Sequence, residues 1–93
     1  MCLPINYNNL HYTDRRKVRE EYVRRQNGLC YYCKSPLTGP ASGDVLKKHI
    51  TKRIFPENFF TWPVHLHHHH GTGMTIGAVH NYCNAVLWEH DGE

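Results

Sequence analysis

The chain has 93 residues, enough for one small domain of the size at which a metal or disulfide often adds needed stability. Its 40% hydrophobic content suits a globular domain, while a mean hydropathy of −0.65 and only short apolar runs exclude a membrane-spanning helix. The charge of +3 hides a division: all eleven Lys and Arg lie between Arg15 and Arg53, and residues 54–93 hold four acids and no Lys or Arg. A basic half beside a histidine-rich half fits a polyanion gripped by one and processed by the other; solubilising surface charge is the plainer alternative.

Residues 1–13 form an N-terminal extension, polar and turn-rich, with Leu3, Ile5 and Leu10 as packing points and Cys2 as a bystander. It lacks a charged segment followed by an apolar run, so no signal peptide is expected and the expected location is the cytoplasm. A helix is predicted from Thr13 or Asp14 to Asn27, with a capping residue first, no Gly or Pro inside, and Gly28 just beyond. Val18 and Tyr22 stand at i, i+4, and Arg15, Arg16, Arg19, Arg24 and Arg25 spread over the remaining surface. Six basic residues against Asp14, Glu20 and Glu21 make it a candidate phosphate-contacting helix; the alternative is a solvated face.

Residues 28–34, GLCYYCK, read as a zinc-knuckle turn, since two intervening residues let both thiolates face one ion. A loop over 35–43 follows. Leu46, Ile50 and Ile54 at i, i+4, i+8 favour a short helix over 44–53 that exposes Lys47, Lys48, Lys52 and Arg53. Phe55-Pro56 ends it, and Phe59, Phe60 and Trp62 are expected as core aromatics at the close of a connecting segment, 35–62.

The chemistry concentrates in 63–90, PVHLHHHHGTGMTIGAVHNYCNAVLWEH. The histidine run is internal, unlike a terminal tag. The pattern reads as a strand, a Thr72-Gly73 turn, a strand from Met74 to Val79, and a helix from Asn81 to His90 with Asn81 as N-cap and Gly92 as stop. Neutral imidazole is both the commonest nitrogen ligand for divalent ions and a natural general base near neutral pH. His67 and His68 point to opposite faces of a regular strand; if the strand ends there, one ring can hold a metal while the other addresses a water. The alternative is a solvated tract that binds transition metals without function.

His80-x-x-Cys83 repeats the knuckle spacing at the second strand's exit. Cys30, Cys33, His80 and Cys83 would close a tetrahedral Cys3His zinc site with no open position, stapling the front helix to the terminal hairpin and helix. The other reading of the CxxC, a redox pair, has no βαβ pattern around it.

Taken together, these elements resemble a ββα-metal (HNH) nuclease, and most of all the phage recombination endonuclease VII branch. That branch has a G-x-C-x-x-C knuckle, a strand ending in D-H-x-H, a T-G turn, a short strand with a glycine, and C-x-x-C-N opening a helix. The matching residues are Gly28-Leu29-Cys30-x-x-Cys33, His67 to His70, Thr72-Gly73, Ile76 to Val79, and His80-x-x-Cys83-Asn84. The match covers roughly residues 14–90, with 34–60 matching only in position. Two departures stand out: His80 replaces a knuckle cysteine, and His67 replaces the metal-binding aspartate. Other HNH nucleases, including the bacterial toxin type, use an adjacent His-His pair there.

The resemblance implies an α+β fold in a single HNH domain over 1–93, with the basic helix and knuckle at 14–34 and the ββα-metal motif at 63–90. It implies a DNA endonuclease, phage-encoded and acting in the host cytoplasm, that hydrolyses phosphodiesters with His68 as general base. His67 and Asn84 would be ligands of a divalent ion, and His70 a supporting group near the scissile phosphate. His65 and His69 have no family role and are expected at the surface. With imidazole in place of the carboxylate, Mn2+, Co2+ or Ni2+ should serve better than Mg2+. Arg15, Arg16, Arg19, Arg24, Lys47, Lys48, Lys52 and Arg53 would contact double-stranded or branched DNA. A homodimer stays open, no membrane partner is expected, and the competing classes are a non-catalytic zinc module that binds nucleic acid and a histidine-rich metal store.

Overall fold

A computed structural model describes residues 1–91, so the expected helix stop at Gly92 lies outside the described residues. The fold is α+β: helix α1 (Tyr12–Arg25), a one-turn helix α2 (Gly43–Leu46), strands β1 (Val64–His68) and β2 (Thr75–His80), and helix α3 (Asn81–Asp91). Short 3-10 turns stand at Tyr7–Asn9 and Lys52–Ile54. No helix among the described residues is long and apolar enough to cross a membrane.

Helix α1 starts earlier than predicted. His11 is its N-cap, and its Nδ1 accepts from the Thr13 amide at 3.4 Å. The helix ends where Asn27 (φ 57) and Gly28 (φ 76) enter the left-handed region, letting the Gly28 amide reach back to the Val23 carbonyl at 2.9 Å. Only Val18 is buried along α1, so its apolar face alone cannot hold it down. Polar contacts do: Gln26 Nε2 donates to the Leu29 and Ala78 carbonyls at 2.8 and 2.9 Å, and Gln26 Oε1 accepts from the Ala78 amide at 2.9 Å. The Tyr31 amide donates to that same Ala78 carbonyl at 3.0 Å. Knuckle and hairpin meet so closely here that a Cβ on Gly77 would stand 2.9 Å from Gln26 Oε1 and 3.0 Å from Tyr31 Cβ.

The helix expected over 44–53 is present only at its ends. Groups on α3 take the backbone in between. The Tyr82 hydroxyl donates to the Lys48 carbonyl at 2.7 Å, Glu89 accepts from the Thr51 amide at 2.8 Å, and His90 Nε2 lies 2.6 Å from the His49 carbonyl. Of the three predicted apolar positions only Ile50 turns inward; Leu46 and Ile54 are exposed. Trp62, expected in the core, is 64% exposed, whereas Phe59 and Phe60 pack half-buried against Phe55.

The hairpin is antiparallel with Val64 opposite His80, Leu66 opposite Ala78 and His67 opposite Gly77. The register then slips by one residue, and His68 lies opposite Thr75. Asn81 is the first residue of α3; its side chain donates to the Phe60 and Trp62 carbonyls at 3.2 and 3.0 Å instead of capping. Val79 and Val86 centre a core completed by Leu37, Val45, Ile50 and Phe55.

Candidate metal centre and histidine cleft

The knuckle after α1, the end of β2 and the first turn of α3 bring Cys30, Cys33, His80 and Cys83 together, with their donor atoms all within 4.8 Å of one another. His80 Nδ1 lies 3.4 Å from Cys33 Sγ and 3.6 Å from Cys83 Sγ. Tetrahedral zinc with ordinary Zn–S and Zn–N bonds sets such N···S edges at about 3.5 Å. These spacings are those of ligands around one ion. His80 Nε2 donates to the Pro36 carbonyl at 2.9 Å, which leaves Nδ1 unprotonated and facing the thiols, the outer-shell arrangement that orients a metal-binding imidazole.

The thiols act on one another. The Cys30 thiol is drawn down to about 4, chiefly by a hydrogen bond from Cys83, while Cys83 is pushed up by the same contact and by burial. Burial alone would lower the His80 imidazole, but the Pro36 carbonyl and the Cys30 sulfur outweigh it and raise it. A dication would bind all three sulfurs as thiolates. The group therefore fits a structural zinc. Cys2 is exposed and stands outside it.

A second site lies around β1. The slip between His67 and His68 breaks the alternation of a regular strand, and both rings line one cleft of about 270 Å3 together with His70 and Asn84. Its other wall is apolar, with Ile54, Phe55, Pro56 and Trp88, and no carboxylate among the described residues lines it. His67 is buried, and its Nδ1 lies 3.2 Å from Asn84 Oδ1. The other end of that amide is fixed by His65: Asn84 Nδ2 donates to His65 Nδ1 at 3.1 Å. Burial, with the Arg19 charge as a smaller cause, lowers the His65 imidazole and keeps it a neutral acceptor, and its ring stands edge-on to Phe59 at 4.6 Å.

His65 is thus not the surface residue that the sequence led one to expect. The overlooked signal was its i, i+2 relation to His67, which puts both on one strand face. His69 is exposed as expected, and its Nδ1 accepts from the Gly71 and Thr72 amides at 3.1 and 3.2 Å, closing the hairpin turn. Tyr7, which no sequence pattern picks out, stacks on His68 with ring centroids 3.9 Å apart. His70 meets His68 edge-on at 5.0 Å and Trp88 at 4.5 Å. Burial first, then the neighbouring His70, lowers the His68 imidazole.

The predicted cations divide. Arg15 and Arg19, one helical turn apart, line an adjoining groove of about 370 Å3 that shares His68, His70 and Asn84 with the cleft. The Arg15 Nε is buried with no hydrogen-bond partner among the described residues, while its guanidinium carbon lies 4.0 Å from the centroid of the Tyr7 ring. Arg16 pairs with Glu20 at 3.3 Å, Arg24 pairs with Glu21, and neither lines the groove. Lys47, Lys48, Lys52 and Arg53 are exposed and line neither hollow. Glu89, the one acid of α3 whose side chain is described, is held by Thr51 away from the cleft. Compared with family models, curated proteins and solved structures, the chain matches none.

Proposed function

We propose that this protein is a metal-dependent DNA endonuclease of the HNH (ββα-metal) kind, with a structural zinc on Cys30, Cys33, His80 and Cys83. One observation carries the reading. His67, His68, His70 and Asn84, distant in kind from a core-filling set, converge on one cleft whose adjoining groove presents Arg15 and Arg19. A phosphodiester backbone offers the anion that the two guanidiniums need, and the buried, unpartnered Arg15 Nε is a donor in search of an acceptor.

His67 Nδ1 and Asn84 Oδ1 are the donors that would hold a divalent ion, and one imidazole with one neutral amide suits Mn2+, Co2+ or Ni2+ better than Mg2+. Such an ion would supply Lewis-acid relief of the charge that develops on phosphate oxygens as the bond breaks. His68 takes the proton from the attacking water. Its imidazole is suited to this because burial, with the Arg15 charge as a smaller cause, favours its neutral form. His70, at the mouth beside Trp88, orients the phosphate, and Arg15 with Arg19 sets the strand in the groove.

Nicking of supercoiled plasmid by the zinc-loaded protein, with each of Mn2+, Co2+, Ni2+ and Mg2+ added in turn, tests the reading. Cleavage is expected with the first three and weaker with Mg2+. His68→Ala should lower the rate about a hundredfold or more while DNA binding persists. His67→Asp should move the preference towards Mg2+. Binding without cleavage under every ion would instead make the protein a non-catalytic zinc module.

A further inference from the structure

The N-terminal extension is built into the histidine cleft. Residues 5–7 run beside the entry to β2: the Thr75 amide donates to the Ile5 carbonyl at 2.9 Å, and the Ile5 amide to Thr75 Oγ1 at 3.0 Å. The Tyr7 amide donates to the Gly73 carbonyl at 2.7 Å. Gly73 sits at φ 77, and a Cβ there would come within 2.7 Å of Asn8 Nδ2 and 2.8 Å of Asn6 Oδ1. Backbone bonds and a glycine that admits close approach fix where the Tyr7 side chain begins. Its ring then lies flat on the His68 imidazole, with planes 6° apart.

The His68 ring is met from its own strand by the Leu66 backbone, and the residue stands where that strand ends. It lies immediately past the register slip and is only half-buried. His70 touches it edge-on from an exposed position. A parallel stack restrains the plane of an imidazole through its face, whereas the ring nitrogens lie in that plane and are not covered by the stack. A base needs both conditions at once, because a ring that tilts loses its line to the water.

We infer that Tyr7 is a positioning residue that holds the His68 ring in the plane from which it takes a proton. The consequence for catalysis rests on the endonuclease reading; the orienting stack does not. The flat face carries the role and the hydroxyl has no part in it, so Tyr7→Phe is the conservative variant. Tyr7→Leu and Tyr7→Met keep bulk and remove the aromatic face.

Two measurements on the zinc-loaded full chain decide the matter. In the first, NMR of the His68 ring protons should give upfield-shifted signals in wild type and Tyr7→Phe, and a lost shift in Tyr7→Leu and Tyr7→Met. In the second, plasmid nicking with Mn2+ at saturating DNA should give a kcat for Tyr7→Leu lower by about tenfold or more, and Tyr7→Phe within about twofold of wild type in kcat and KM. A ring shift that does not depend on Tyr7 overturns the inference, as does a lost shift with unchanged kcat. Loss of amide dispersion in both Leu and Met variants overturns it in favour of a packing role. Should wild type cut DNA under no ion, the endonuclease reading falls, and the ring shift alone decides whether Tyr7 orients His68.

Discussion

Asn84 is gripped at both ends, by His65 at 3.1 Å and by His67 at 3.2 Å. Only a neutral His65 accepts from the amide nitrogen, and that fixes the amide oxygen towards His67. Removing His65 frees the amide to rotate, so His65→Ala should lower the nicking rate by about tenfold while zinc content stays unchanged. His69→Ala, which strips a ring that serves only turn amides, should stay within about twofold of wild type. Equal losses in the two variants would remove His65 from the site. At this scale the letters were partly legible. The His-x-His alternation already put His65 and His67 on one strand face, but a lone tyrosine in a polar segment gives no sign that it will lie on His68.

Among the elements, β1, β2 and α3 were readable because alternation, a Thr-Gly turn and an uninterrupted helical run each have a local cause. The stretch from Asp44 to Arg53 was not. Its apolar spacing is helical, yet Tyr82, Glu89 and His90 bind the Lys48, Thr51 and His49 backbone groups from more than thirty residues away, and no local pattern carries that. Gln26 is a similar case. Its amide joins the end of α1 to β2 through two hydrogen bonds and to the Leu29 carbonyl through a third, in a helix with one buried apolar residue. Gln26→Ala leaves the Ala78 amide without that acceptor and should destabilise the protein by about 1–3 kcal/mol, measured by urea unfolding of the zinc form. A loss under about 0.5 kcal/mol would mean that water replaces the side chain there. Gly77→Ala should weaken the same joint, since the added methyl meets Gln26 Oε1 and the Tyr31 side chain.

Over the whole molecule, two long-range features govern behaviour. Cys33 and His80 are 47 residues apart, and closing so long a loop with a small core is a cost that metal binding would offset. Protein purified without added zinc should hold about one equivalent, and Cys30→Ser should lose both the ion and cooperative unfolding. A folded, zinc-free Cys30→Ser protein would refute the centre. The second feature is charge. Arg15 and Arg19 line the groove, whereas Arg16 and Arg24 are engaged by Glu20 and Glu21. Neutralising Arg15 and Arg19 to Gln should flatten the slope of log affinity for duplex DNA against log salt by about 0.9 per lost contact, and neutralising Arg16 and Arg24 should leave it nearly unchanged. Fluorescence anisotropy at stepped salt reads the difference. Composition made the basic half visible, but which arginines turn towards the histidines depends on how α1 docks. The two sites also touch in the sequence, for Cys83 belongs to the metal centre and Asn84 to the cleft. Neighbouring residues on a helix project about 100° apart. With its thiol held by an ion there, α3 could not spin about its own axis, and the amide one step along would take its bearing from that pin. A metal in this centre would therefore fix an angle as well as a joint, and the aim of the cleft would be measured from it.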